Sequence, residues 1–344
     1  MPEPVTLSDA ANRFVRQIEN SRSQNTAKTY QNGMKAFLEM YKENENLDDS
    51  DLERVLVEVL DETIVSDFSS YLKSYSPTTE TLYINVLKSF LEYLAAENIL
   101  NLNLNRVKML IRRRTRKPGV RLPQFPEEDI RKVLEYAESL PSILCETETD
   151  RLINCRDSAF LLTLADTGLR IHEICGLRLG DINWRTGKAV IIGKGNKEAM
   201  IRFSDRSIIA MRNYLNLRAE LGEKFALARS ALPIFSRHDK GAGKKTLPIT
   251  TKTGRMIVSE RVEQCLGKDA VGTITPHSFR HFFVTTVLQA TGNLKIAQEF
   301  ARHTNIAVTQ RYSHLANEEL DDTYQAIFGA YSSDRRKEIG RAHV

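Results

Sequence analysis

Between residues 106 and 123 the chain changes character. Arg106, Lys108, Arg112, Arg113, Arg114, Arg116 and Lys117 crowd together with no acid among them, and Pro118-Gly119 and Pro123 follow at once. Two prolines and a glycine so close together favour an extended connection. A chain of 344 residues also suits two domains better than one. The expected layout is therefore a first body over 1–105, a basic linker over 106–123, a second body over 124–331 and a polar tail over 332–344. The formal net charge is +5, and the stretch Arg106 to Lys117 carries seven positive charges, so the rest of the chain stands at −2. A local basic excess is the footprint of a polyanionic partner, and equally of a solvated linker.

The first hundred residues read as helices. Tyr30, Met34, Phe37, Leu38 and Tyr41 recur at helical spacing, as do Leu82, Val86, Leu87, Phe90, Leu91 and Leu94. Ser8-Asp9 and Ser76-Pro77 offer N-cap chemistry, and 46–50 is a polar break. Four or five helices are expected, with their aromatic stripes in the core. The second body reads as mixed. Pro126-Glu127-Glu128-Asp129 starts a helix. Arg156 to Asp166 forms an apolar helix that Gly168 terminates. Lys188 to Ile192 and Ala199 to Phe203 are two short β-type runs around Gly193-Lys194-Gly195-Asn196-Lys197, which reads as a hairpin. Ser207 to Leu221 is helical, 232–253 is a loop, and the pattern from Ser278 onward is helical again. The expected fold class is mainly α with a small antiparallel β-sheet.

Several chemistries are excluded. Cys145, Cys155, Cys175 and Cys265 have no CxxC spacing, so neither a zinc site nor a disulfide framework is indicated. No His/Cys or Asp/Glu cluster has metal-ligand spacing. Gly241-Ala242-Gly243-Lys244-Lys245 resembles part of a phosphate-binding loop. The pattern, however, needs glycine where His238 stands and Ser or Thr where Lys245 stands. No basic n-region with an apolar stretch opens the chain, and no apolar run reaches membrane-spanning length. A cytoplasmic protein with reduced thiols is expected.

What remains is a scattered set of phosphate-binding side chains ending in a tyrosine. Transfer at a phosphodiester puts extra negative charge on the non-bridging oxygens, and fixed donors aimed there are a large catalytic term. Arg170 and Arg280 could supply planar, charge-assisted forks. Lys194, with Lys197 as its rival, could protonate a leaving oxygen. His277 lies three residues before Arg280, on one face if helical. Tyr312, one of eleven tyrosines, follows His303 and could form a covalent phosphoryl intermediate.

The order Arg, Lys, His-x-x-Arg, His, Tyr resembles the tyrosine recombinase (phage integrase) family, and its Xer-type members closely. Thr167-Gly168-Leu169-Arg170 with Glu173 resembles the family's first arginine box. Lys194 matches its hairpin lysine, Pro276-His277 with Arg280-His281 its second box, and His303 and Tyr312 its last pair. The departures are Arg302 where glycine is usual, Phe279 where leucine is usual, an enlarged 232–253 region and an acidic stretch over 146–150 that reads as an insertion.

The resemblance implies a two-domain DNA clamp, an all-helical core-binding domain ahead of a mixed α+β catalytic domain. It implies that Tyr312 attacks a scissile phosphate to give a 3′-phosphotyrosyl link. Arg170, Arg280 and His303 bind the phosphate, Lys194 protonates the 5′-oxygen, His277 handles the tyrosine proton and Glu173 orients a neighbour. No cofactor and no metal are implied. The partners implied are double-stranded DNA along the basic segment and three further copies of the chain. The helix bearing Leu320, Tyr324, Ile327 and Phe328 either caps its own domain or, the favoured alternative, docks in trans on a neighbouring subunit of that tetramer, and an accessory DNA-bending protein or partner recombinase is compatible with it. Two rival readings stand beside site-specific recombination: a type IB topoisomerase-like relaxase, and a non-catalytic DNA-binding protein of the same fold.

Overall fold

The structure, a computed structural model, describes residues 4–116, 126–192, 198–221, 229–239, 241 and 246–302. The chain divides into two compact units, Met1–Val120 and Arg121–Val344. No helix among the described residues is long and apolar enough to cross a membrane.

The first unit is all-helical: α1 (Leu7–Ser21), α2 (Gln24–Glu45), the single turn α3 (Asp49–Leu52), α4 (Ile64–Tyr71), α5 (Pro77–Ala96) and α6 (Leu104–Arg114). Ser76 accepts the Thr79 N–H at 3.1 Å and Pro77 opens α5, as the sequence predicts. The cap of α1 is Thr6 rather than Ser8-Asp9, and the Asp9 N–H donates to it. The aromatic stripes are core: Phe14, Phe37, Phe68 and Phe90 are buried, and the Phe37 and Phe68 rings meet edge to face at 5.6 Å. Leu82 departs from its stripe and faces solvent, while Ile84 packs inside. Gly33 lets α2 approach α5 closely, because a Cβ there would lie 2.9 Å from Val86 Cβ.

The segment expected as a basic linker begins as α6, a helix of the first unit. Val107 is buried, and Leu110 and Ile111, three and four residues on, pack against the same core. Asn103 caps the helix, and Arg112, Arg113 and Arg114 crowd its last turn, where the helix dipole favours cations. The end of α6 is fastened to Glu80, a fully buried carboxylate. Glu80 accepts from the Arg116 backbone N–H at 2.9 Å, from the Arg116 guanidinium and from Lys73 Nζ at 2.8 Å. Lys73 and Ser69 also donate to the Arg114 carbonyl. Burial pushes the Glu80 carboxyl up, but these donors outweigh it and hold the group below its usual range.

The second unit contains α7 (Glu127–Ser139), α8 (Glu148–Thr167), α9 (Ile171–Cys175), β1 (Ile182–Asn183), β2 (Lys188–Ile192), β3 (Glu198–Arg202), α10 (Asp205–Glu220), α11 (Thr251–Leu266), α12 (Pro276–Thr291) and α13 (Leu294–Ala301). The three strands form one antiparallel sheet in the order β1-β2-β3, with Val190 opposite Met200. Ala189, Ile191 and Ile201 point into the core, while Val190 and Met200 are half-exposed on the other face. α8 is the central helix, packed by α7, α10 and α12 and buried nearly all round. It starts earlier than the sequence predicts. The acidic stretch read as an insertion is its first turn, capped by Thr147, with Glu148 and Asp150 at the positive end of the dipole. Its buried Asp157 is satisfied by Arg156 and by both prongs of Arg261. The described residues of the 232–253 region are not a surface loop throughout, since Leu232, Ile234, Phe235 and Ile249 are core residues and α11 begins at Thr251.

Candidate active site and family

The end of α8, the end of α13 and the helix α12 converge on one carbonyl. α8 ends at Gly168 in the left-handed conformation, φ 57°. A Cβ at that position would lie 2.5 Å from Phe283 Cδ1, so the turn requires glycine twice over, for its φ and for its closeness to α12. Arg280, buried on α12, donates one terminal nitrogen to the Gly168 carbonyl and the other to the Ala301 carbonyl at the end of α13. Arg302, the next residue, donates Nη2 to the same Gly168 oxygen at 3.3 Å. The fork of Arg280 thereby ties the end of α8 to the end of α13.

Two residues beyond Gly168, Arg170 caps α9 in extended conformation. Glu173 reaches back to it: one oxygen accepts the Arg170 N–H at 2.8 Å and the other its Nη1 at 3.0 Å. Arg302 Nη1 lies 3.2 Å from the first of these oxygens. Two guanidiniums thus meet one carboxylate, with Arg280 a third nearby positive charge, which leaves excess positive charge in a mostly buried place. Burial pushes the Glu173 carboxyl up, but Arg302 and Arg170 pull it further down, and it stays ionised. Arg280 is held down to about 9 by burial and by the charges of Arg170 and Arg302, and is still protonated at neutral pH. The Arg170 side chain is 37 % exposed, while those of Arg302 and Glu173 are 11 % and 2 % exposed. Arg170 is the member of this cluster that presents donors to solvent.

His277 stands in the first turn of α12, capped by Thr275. Its ring is open to solvent and meets the His281 ring at 4.3 Å between centroids. Partial desolvation and the charges of Arg280 and Arg170 hold its pKa below the ordinary imidazole value. The ring is therefore neutral at pH 7 and can accept a proton. A cleft of about 390 Å³ opens beside it, lined by Ile171, Arg255, Ser259, Ile274 and Thr275 among others. The structure thus brings together Arg170, Glu173, Arg280 and the first turn of α12. It adds Arg302, which in the sequence stands out only as a departure from glycine. Lys194 falls in sequence between the paired Ile192 and Glu198. Lys194, His303, Tyr312, Lys117 and the stretch from Leu320 to Phe328 lie outside the described residues.

The basic residues of the first unit divide into two groups. Arg106 pairs with Glu62 at 3.2 Å and Arg116 with Glu80, so part of their charge is used within the unit. Lys108, Arg112, Arg113 and Arg114 are exposed. At helical spacing Arg112 and Arg113 fall away from Val107 and Ile111, with Lys108 on the flank one turn before Arg112.

The sequence matches the phage integrase family over residues 128–319 and the phage integrase SAM-like domain over residues 6–109. It is 28 % identical over 316 residues to tyrosine recombinase XerC of Treponema denticola, covering 87 % of this chain and 91 % of that one. It is 30 % identical over 254 residues to XerC of Listeria monocytogenes serotype 4b, covering 73 % and 76 %. In fold it is similar to XerH site-specific recombinase bound to palindromic difH substrate, with a TM-score of 0.63 at 18 % identity over 92 % of this chain and 94 % of that one. It is also similar to a lambda integrase dimer bound to a COC′ core site, with a TM-score of 0.59 at 18 % identity over 90 % and 95 %. The first unit thus corresponds to a SAM-like domain, and the convergence of Arg170, Glu173 and Arg280 falls inside the matched catalytic region. The chain belongs to the phage integrase family of tyrosine-type site-specific recombinases, which cleave and rejoin DNA.

Proposed function

We propose that Tyr312 is the nucleophile of this recombinase and that the cluster around Glu173 is its phosphate-binding site. The observation that carries the reading is the arrangement of Arg170, Arg280 and Glu173: a solvent-open guanidinium oriented by a buried carboxylate, with a second guanidinium fixed behind it. Tyr312 Oη attacks the scissile phosphorus and the bond from phosphorus to O5′ breaks, leaving a 3′-phosphotyrosyl link and a 5′-hydroxyl. Arg170, Arg280 and His303 stabilise the charge on the non-bridging oxygens. Lys194 gives its proton to O5′ as that bond breaks, and His277, neutral at pH 7, takes the tyrosine proton. Attack by a 5′-hydroxyl from a second strand reverses these steps and restores a phosphodiester.

The partner is double-stranded DNA, met in the first unit by the exposed side of α6 through Lys108, Arg112 and Arg113, with Arg114 at its end. Arg106, Arg116 and Lys117 contribute to the same positive field. Such contacts orient a duplex rather than read it. Strand exchange between two duplexes calls for a tetramer, with the stretch Leu320 to Phe328 docking on a neighbouring subunit. The domain limits that go with this reading are a first domain that takes in α6 and its fastening at Arg116, and a catalytic domain over 124–331.

The test is a nicked suicide duplex, its site recovered by covalent trapping from a random-sequence pool. The protein should give a covalent band on a denaturing gel. Tyr312→Phe should give none while still shifting the duplex, and a persistent band in that variant would overturn the assignment. Recombination between two such sites, without relaxation of a plasmid that lacks them, separates this reading from a relaxase.

A further inference from the structure

Arg302 holds a backbone conformation that a side chain disfavours. It lies at φ 57° at the end of α13, in the left-handed region where a Cβ crowds the neighbouring carbonyl. The family-like residue here is glycine, which meets no such penalty. The arginine is not a surface substitution, since its side chain is only 11 % exposed. From there it reaches two groups of the phosphate site at once. Nη1 lies 3.2 Å from Glu173 Oε2, and Nη2 donates to the Gly168 carbonyl at 3.3 Å beside Arg280. Its Nε and Nη1 are buried with no hydrogen-bond partner among the described residues, so Nη1 meets Glu173 as an ion pair without a hydrogen bond.

We propose that Arg302 is a positioning residue of the phosphate site, which shares the carboxylate of Glu173 so that Arg170 keeps donors for the scissile phosphate. The proposal rests on the cleavage reading above. Glu173 is almost wholly buried and carries a full negative charge, so it must be compensated locally. With Arg302 absent, Arg170 is the one remaining cation in ion-pair contact with it among the described residues. The charge available to a phosphate is then smaller, and the exposed arginine is held more tightly by its own carboxylate. With Arg302 present, a third guanidinium stands behind Arg170 and Arg280, and the excess positive charge is relieved when a phosphodiester enters. A purely structural alternative is that Arg302 only locks the end of α13 to the end of α8.

The two roles separate on the charge of the substrate. Single-turnover cleavage would be measured for the full chain, Arg302→Ala, Arg302→Gln and Arg302→Lys. The substrates are the suicide duplex and the same duplex with a neutral methylphosphonate at the scissile position. Expected are a loss of about 10- to 100-fold for Ala and Gln on the phosphodiester, the scale of removing one oriented donor or its support, and recovery of most of it by Lys. On the methylphosphonate all four proteins should agree within about 3-fold, since the charge that Arg302 serves is gone. Equal losses on both substrates, or no loss on the phosphodiester, would overturn the proposal. Gel shift of uncleaved duplex and thermal unfolding report folding, and if Ala does not fold, the comparison of Gln with Lys decides. If the parent band survives Tyr312→Phe, it is the nucleophile assignment that has failed, and the comparison among the Arg302 variants is unaffected.

Discussion

Glu173 grips Arg170 at two points, taking its backbone N–H with one oxygen and its guanidinium with the other. The backbone contact fixes where α9 starts, and the side-chain contact fixes which way the arginine points. One carboxylate thus sets both the local fold and the aim of the one cluster guanidinium that is open to solvent.

Replacing Glu173 by Gln should therefore cost stability as well as cleavage. An amide cannot accept both Arg170 hydrogen bonds on separate oxygens or pair with the Arg302 charge, and its own NH₂ would face guanidiniums. A loss of about 1–3 kcal/mol is expected in urea denaturation. The pH dependence follows from the lowered pKa of Glu173. Its contribution is fully present above the unfolded value, near 4.5, and is lost as pH falls through the lower folded value. The parent should lose this increment below about pH 4.5, and Glu173→Gln should show a shallower acid slope.

Gly168→Ala tests the carbonyl that Arg280 and Arg302 share. The substitution meets both a left-handed φ and a 2.5 Å approach to Phe283. Together these should destabilise the second unit by about 2–4 kcal/mol, read as a lower denaturation midpoint at unchanged slope. A neutral result would mean that the end of α8 is not fixed against α12 as described.

Lys108, Arg112 and Arg113 are exposed and make no ion pair among the described residues, so the triple alanine variant should unfold within about 0.5 kcal/mol of the parent. Its affinity for DNA should fall, and the slope of log K against log salt should flatten by up to about 3 if each side chain meets one phosphate. Arg116→Ala should behave differently, losing stability because it leaves the buried Glu80 short of a partner. An unchanged slope in the triple variant would remove α6 from the DNA-contacting surface.

The parts of this architecture that were legible in the sequence are the local ones. The Ser76-Pro77 cap of α5, the alternating runs of β2 and β3, the glycine stop of α8 and the spacing of Arg170 to Glu173 all lie within a few residues. α6 is hidden in the sequence because its five cations obscure the spacing of Val107, Leu110 and Ile111. The first turn of α8 was hidden because acids that stabilise a helix start also resemble a break. α11 was missed inside and beyond a polar region because its buried face mixes Gly254, Ile257, Val258 and Arg261. The role of Arg302 depends on contact with Glu173 and Gly168, more than a hundred residues away, and sequence spacing carries no sign of such a pairing. Arg302 could be noticed as unusual, but not placed.

The most direct measurement takes the trapped covalent complex, digests it and identifies the linked residue and the labelled DNA end. The account predicts that the peptide containing Tyr312 carries the DNA, joined to a 3′-phosphate, with the strand beyond it released bearing a 5′-hydroxyl. Linkage through another residue, or to a 5′-phosphate, would contradict it.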